Sequence, residues 1–495
     1  MQRLAPFVLA AALAVGLSAT ALAAPRDDVT IGMTIEPTGM DPTAAAPVAI
    51  GQVVWQNLFQ GLTRIDEKGA VEPQLAKSWE ISADGLQYTF HLQDNVQFHN
   101  GAAFNAQTAK FSLDRARGDQ STNPQKQFFA AIEAVETPDD NTLLVRLSEP
   151  AGNLLYWLAW PASVMVEPGS ADANRTNPIG TGPFSFGEWR QGDRATLERF
   201  DGYWGTHPAL AKATFRFIND PQAQLAALKS GQVDAFPEFA APELFYELET
   251  DPNFETSVGN TELKVVAGMN NRNPPFNDVR VRQALMLAVN RGELITGAWS
   301  GYGQAIGSHY TPNDPGYISL EDVLSHDQEK ARALLAEAGY PEGFNATIKT
   351  PQMAYARRSA EILQAFLADV GVQLTIVPTE FPAVWVSEVL QGHDFDMTIV
   401  AHAEPMDIGI YARPDYYFGY ENADFAGIIN KAETTTDEAT RLELYGQAQR
   451  KLANDVPALY LFVMPKLGVW KNGLQGLWDN EPIPSNDLTA VQWSD

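Results

Sequence analysis

The chain contains no cysteine among its 495 residues. Disulfides, a thiol nucleophile and thiolate metal ligation are therefore excluded, and so is a lipid attached to an N-terminal cysteine. Stability has to come from packing. Basic residues are also scarce: 34 Lys and Arg stand against 61 Asp and Glu, a formal net charge of −27. A chain this acidic is repelled by polyanions, which argues against nucleic acid and against an anionic lipid surface as partners. The excess acid serves as a solvated coat, with a long-range bias toward cationic solutes as a second consequence. Internal repeats and low-complexity tracts are absent. So are the common signatures of hydrolytic and dinucleotide chemistry. There is no H-E-x-x-H. Ser300, in Gly297-Ala298-Trp299-Ser300-Gly301, misses the G-x-S-x-G spacing by one residue. Gly180-Thr181-Gly182 has no third glycine at the dinucleotide spacing, and Pro183 removes an amide that a phosphate would need.

Long apolar runs are confined to the start. Arg3 supplies a positive charge, Phe7 to Leu22 is largely apolar and small, and Ala21-Leu22-Ala23 has the small-x-small form of a signal-peptidase site. This reads as a signal peptide over residues 1–23, with the mature chain beginning at Ala24. The run is short for a spanning helix, which needs roughly 20 apolar residues. An exported chain with no lipid tether is retained only behind a second membrane, so the periplasm is the expected compartment. About 470 mature residues suffice for at least two domains.

Strand-like and helix-like segments alternate along the chain, as in an α/β protein. Val29 to Ile35, Leu86 to Leu92 and Thr142 to Leu147 carry the period-2 pattern of strands. Asn219, Pro221 and Gly231 bracket a short helix with Leu225 and Leu228. Pro274 and Pro275 end whatever precedes them, and Asp278 is a good N-cap. Val281, Ala284, Leu285, Ala288 and Val289 then fall at i, i+3, i+4, i+7 and i+8, one buried helix face. Asp327 caps a helix bearing Ala331, Leu334, Leu335 and Ala338 that Gly339 stops. Leu363, Phe366, Leu367 and Val370 form another stripe stopped by Gly371. Val372, Leu374 and Ile376 alternate in a strand ended by Pro378, and Phe395 to Val400 reads as a further strand. A sheet covered by helices is expected, with ligands at the carboxyl ends of its strands.

The wording of Pro274 to Arg291 closely resembles a signature of the family 5 extracytoplasmic solute-binding proteins of ABC importers, the dipeptide, oligopeptide and nickel group. The resemblance runs along the whole mature chain. It takes in Asn57 to Leu62, Leu75 to Glu80, Ser82 to Phe90, Val96 to Gly101, Gly180 to Phe184, Arg199 to Gly205 and Asp327 to Gly339. Each segment is weak alone; in this order they are specific. The resemblance implies an α/β fold of two lobes joined by hinge crossovers, with an extra subdomain in the first lobe. Mapped here, the first lobe takes Ala24 to Ala267 and resumes at Lys466 to Asp495, with the subdomain at about Gln56 to Pro178. The second lobe takes Gly268 to Pro465. The implied function is capture of a peptide or peptide-like amine between the lobes and delivery to permease subunits. No enzymatic activity and no cofactor are implied, and the family implies a monomer. A metal chelate or an opine-like conjugate remains an alternative cargo, and a secreted hydrolase is the rival class.

The candidate contacts follow from position. Many peptide-binding relatives carry a Trp and an Asp-Pro pair after the strand near residue 400, with an aspartate that pairs with the peptide's amino terminus. This chain offers Glu404-Pro405 and Asp407 there, so Glu404 or Asp407 is the expected ammonium partner. Dipeptide binders hold the ligand carboxylate with an arginine from the loop that is Pro351 to Ala356 here; this loop has none, so a longer peptide or a non-peptide amine fits as well. Glu36, in the loop after the first strand, is expected to face the cleft. Trp385 and Tyr416 could supply apolar walls. His402, one residue beyond the acidic loop's strand, could reach a chelated metal, but a lone histidine with no second ligand at suitable spacing is weak evidence for one, and a hydrogen-bonded structural histidine is the favoured reading.

Overall fold

Two long antiparallel strands, Phe254–Met269 and Ala458–Lys471, organise the molecule. The computed structural model describes residues 26–45 and 48–494. The expected signal peptide lies outside the described residues. The two strands pair from Phe254 opposite Lys471 to Asn260 opposite Pro465. They lose register over the next three residues and resume from Lys264 opposite Val463 to Gly268 opposite Ala458. The break separates two sets of neighbours. On one side Ala458–Lys471 pairs with Ala235–Phe236, which leads on to Asp28–Met33, Lys212–Phe217, Arg194–Arg199 and Phe184–Arg190. On the other side Phe254–Met269 pairs with Met397–His402, followed by Asn345–Pro351 and Gln373–Thr379. A single path of hydrogen-bonded strands thus runs through both lobes. It changes neighbours at residues 260–264 and 463–465, beside the expected crossings at 267 and 465.

The second half folds around the face anticipated from periodicity. Val281, Ala284, Leu285 and Ala288 are fully buried in the helix Val279–Ala288, and the Asp278 carboxylate accepts from the Arg280 amide. They pack with Ile348, Leu363, Leu367 and Met397 in one core. Burying each large aliphatic chain contributes about 1.5–3 kcal/mol. The helix Gln328–Glu337 is capped by Asp327, whose carboxylate accepts from the Lys330 amide.

In the first half a four-stranded antiparallel sheet, ordered Ala76–Ile81, Gln87–Leu92, Thr142–Leu147, Ile132–Asp139, forms its own unit. Its inner face packs on the helix Ala106–Arg117 through Tyr88, Phe90, Leu143, Val145 and Leu113. Asn105 and Thr108 close that helix start with a reciprocal capping box. A third core joins the lobes: Val53, Trp55 and Phe59 belong to the same buried cluster as Ile408, Tyr411 and Phe418. No helix among the described residues is long and apolar enough to cross a membrane.

Candidate functional site

The strand Met397–His402 pairs with the crossover strand from Met269 back to Lys264, and its end delivers the acidic loop. The strand is shifted two residues from the Phe395–Val400 expectation, so His402 is its last residue. Two buried groups shape the loop behind it. The Lys264 ammonium donates to the Glu404 carbonyl at 2.6 Å, and the Asp314 carboxylate accepts from the Met406 amide at 2.6 Å. Met406 is held in the left-handed region at φ 53°, which turns the chain into the short helix Asp407–Ala412.

Across the loop lies a cavity of about 920 Å³. One wall comes from the second lobe: Glu404, Asp407, Arg413, Tyr416 and Glu433. The other comes from the subdomain: Phe128, Glu149, Trp157 and Trp160. Phe128 stacks on Trp157 with ring centres 4.2 Å apart and meets Trp160 edge-on, giving an apolar surface opposite the charged loop. A smaller cavity of about 150 Å³ adjoins it and shares Glu404 and Trp160. The walls meet where the Gly152 amide donates to the Glu433 carbonyl at 2.7 Å and Asn153 donates to the Tyr445 hydroxyl at 2.6 Å. A Cβ at residue 152 would stand 2.3 Å from the Thr435 carbonyl oxygen, so only glycine permits this approach.

Of the six residues singled out from the sequence, Glu404, Asp407 and Tyr416 line the cavity. The other three do not. Glu36 turns to its own lobe, where its carboxylate accepts from Trp189 Nε1 at 2.9 Å and from the Gly192 amide at 2.9 Å. Trp385 is buried and donates to the Thr398 hydroxyl at 2.9 Å. His402 lies behind the wall, its Nε2 2.9 Å from the Tyr417 hydroxyl. Burial, then the neighbouring His309, push its imidazole down to about 3, so it is neutral.

Asp407 is unlike the free carboxylate anticipated. Its side chain keeps about 10 % of its surface exposed, so the cavity reaches it. Its Oδ1 faces Lys264 Nζ and His309 Nε2, each at 3.2 Å, as ionic contacts without a directed hydrogen bond. Burial alone would push this carboxyl up. Lys264 and then His309 reverse that and hold it well below the usual carboxylate range. Lys264 is fully buried; Asp407, Asp314 and Glu262 outweigh the burial penalty and keep it charged. Burial, with Asp314 adding to it, pushes the Glu262 carboxyl up.

His309, His402 and Asp407 bring one possible ligand atom each within 4.8 Å of one another. These residues do not fit a metal ion: the Lys264 ammonium stands against the same carboxylate, and a second cation there would face it in a dry interior. Sequence reasoning missed Lys264, His309, Arg413, Glu433 and the aromatic wall. One signal was available, since Glu262 and Lys264 stand two apart, the spacing of one strand face, directly ahead of the apolar run from Val265 that is buried core.

Two α/β lobes sharing a crossed sheet, with a roomy cavity between them, define a periplasmic-binding-protein fold built to enclose a solute. The chain belongs to the bacterial extracellular solute-binding proteins, family 5: the profile described as "Bacterial extracellular solute-binding proteins, family 5 Middle" matches residues 70–423. It is accordingly the solute-binding component of an ABC transporter, a binder and not an enzyme. A glutathione-binding protein of Pectobacterium atrosepticum is 31% identical over 478 residues, 91% of each chain. A dipeptide-binding protein of Escherichia coli is 30% identical over 443 residues, covering 79% of this chain and 80% of that one. Among solved structures, the binding protein AgaA from A. tumefaciens in complex with agropinic acid superimposes with a TM-score of 0.74 at 25% identity. It covers 94% of this chain and 99% of its own.

Proposed function

We propose that this protein captures, in the periplasm, a small peptide-like solute carrying both an ammonium and a carboxylate, and presents it to the permease subunits of its transporter. The observation that carries this reading is the charge arrangement of the cavity. Glu404, Glu433 and Glu149 offer carboxylates, and the exposed Arg413 guanidinium forms no hydrogen bond or ion pair among the described residues while lying near enough to Glu433 to act on its charge. Arg413 takes the clamp role for which the Pro351 to Ala356 loop has no arginine. A volume of about 920 Å³ lies near the top of the roughly 300–1,000 Å³ span of small-molecule sites, which suits a solute of two to four residues. The resemblance to glutathione-binding and dipeptide-binding relatives supports the same class.

The mechanism is differential binding. A solute touching Trp157 and Trp160 on one side and Glu404 and Arg413 on the other binds best when both walls are engaged. It therefore shifts the population toward the closed arrangement that a permease recognises. The pairing break at Asn260 to Lys264 is the natural place for the two crossover strands to bend. The protein works as a monomer in this scheme.

An opine-like conjugate is the second reading, supported by the AgaA relative solved with agropinic acid. Calorimetric titration of the mature protein with glutathione, a dipeptide set and agropinic acid separates the two. Micromolar or tighter binding of glutathione or peptides supports the first reading. Binding of agropinic acid alone moves the assignment to opines, and heat with none of the three removes both.

A further inference from the structure

Asp407 stands where a carboxylate should meet a solute's ammonium, yet its charge is already answered from inside the protein. The cation is Lys264, whose side chain has no exposed surface and enters from the crossover strand, not from the cavity. Its ammonium lies 3.2 Å from Asp407 Oδ1 and donates to the Glu404 carbonyl, so one group neutralises the aspartate and fixes the loop that carries Glu404. His309 adds a second contact at 3.2 Å, and its other ring nitrogen is 3.1 Å from the Tyr411 hydroxyl, which holds the imidazole in place. A solute N–H that reached Asp407 would gain one ordinary hydrogen bond against a balanced charge, not a new ion pair. Glu404 and Glu433 are different: both are exposed to the cavity and neither forms an ion pair among the described residues, although burial pushes the Glu433 carboxyl up and the nearby Arg413 only partly offsets it.

We propose that Lys264 is the resident cation of Asp407: it fills the place at the cavity wall that a solute's ammonium would otherwise take, and so directs that ammonium to Glu404 and Glu433. This rests on the peptide-like reading above. Lys264 is a positioning residue that sets where the amino end of the solute lies. It does so from the residue at which pairing between the two long strands resumes after the break, so the same ammonium ties the edge of the hinge to the binding loop.

The test has two arms on the full mature protein. The first needs no solute. After solute is stripped by unfolding and refolding, thermal melts are recorded for wild type, K264M, D407M, D407N and the K264M/D407M double variant. Each single variant is expected to melt lower by about 3–5 °C, and the double variant to melt no lower than either, because removing both charges leaves neither unpaired. Additive losses, or an unchanged or raised melt for D407N, would overturn the internal pairing.

The second arm offers equal pools of di- to tetrapeptides with free and with acetylated amino termini, and reads the captured ratio by native mass spectrometry. Wild type is expected to favour free termini by about tenfold or more. The E404Q/E433Q variant should lose that preference, D407N should keep it, and K264M should increase it by opening Asp407. If D407N is not recovered folded, the K264M/D407M protein serves in its place and should also keep it. Loss of preference in D407N or K264M/D407M with retention in E404Q/E433Q would reverse the assignment. If wild type captures no peptide from either pool, the peptide-like reading falls, while the melting cycle still decides whether Lys264 holds Asp407.

Discussion

Two buried lysines flank the pairing break between the lobes, and they live in opposite electrostatic worlds. Lys264, on Phe254–Met269, reaches Asp407, and both partners stay ionised. Lys466, on Ala458–Lys471, is equally buried, but its ammonium donates to the Trp478 carbonyl and contacts no carboxylate within 4 Å among the described residues. Burial pulls its pKa down. The acid whose charge acts on it most, Glu481, is pushed up, first by burial and then by the hydrogen-bonded Glu238, while Gln52 donates to both acids, at 2.6 Å to Glu238 and 3.2 Å to Glu481. A buried charge survives where a counter-charge is in contact. Where only a carbonyl is offered, the neighbouring acid takes a proton instead. The cavity therefore borders the ionised pair Lys264–Asp407, while Glu262 behind that pair is pushed up by burial as Glu481 is.

Single substitutions should separate the two clusters. K264M strands Asp407 as an unpaired buried carboxylate, a loss of about 3–5 kcal/mol in unfolding free energy. K466M removes a lysine bound only to a carbonyl and should cost about 1–3 kcal/mol, the toll of one buried acceptor left without a donor. Urea unfolding of the stripped proteins measures both. Equal losses would mean that contact with a carboxylate does not govern the difference.

The effect on binding is expected to be smaller and to fall elsewhere. Glu404 is exposed, so E404Q should leave the urea midpoint unchanged while weakening an ammonium-bearing solute by about 1–3 kcal/mol, roughly ten- to a hundredfold. R413Q should weaken a carboxylate-bearing solute by a similar amount. Calorimetry with the best ligand of the titration set checks both. An R413Q protein with wild-type affinity would take Arg413 out of the proposed contact set.

How much of this was legible in the sequence depended on whether a feature was local. The Val279–Ala288 helix was readable because its cap and its stripe lie within a dozen residues, and the structure buries each stripe residue. Local alternation likewise located Gln87–Leu92 and Thr142–Leu147. The cavity was not readable in the same way, because Trp157 and Glu404 become neighbours only through the lobes. Position in the chain brought out Glu404, Asp407 and Tyr416, which the cavity contains. It could not tell that the loop carrying Glu36 turns to Trp189, nor that Trp385 and His402 lie on the core side of their segments. Lys264 escaped for a further reason: a charged residue inside a strand shows its purpose only when the partner, here more than a hundred residues away, is in contact.

The smallest expected effects concern pH, and they have opposite signs in the two clusters. His402 has a folded pKa of about 3 against an ordinary value of 6.5, so below pH 6.5 the unfolded chain binds a proton that the folded one refuses. Its contribution to stability is complete above pH 6.5 and is lost as pH falls toward 3. Glu481 is raised above its ordinary 4.5, so the folded protein keeps a proton that the unfolded chain releases. Its contribution is present below pH 4.5 and is lost as pH rises through the elevated folded value. Each group alone changes the unfolding free energy by at most about 1.4 kcal/mol per pH unit. Between pH 4.5 and 6.5 the two slopes oppose one another. H402Q should therefore remove a rising component and leave stability falling more steeply with pH, while E481Q should remove a falling component and make the protein relatively more stable near pH 8. Urea midpoints of the three stripped proteins across this range resolve the slopes. Parallel curves for wild type and E481Q would show that Glu481 is ionised in the folded state, and that the contrast between the two lysines does not extend to their neighbouring acids.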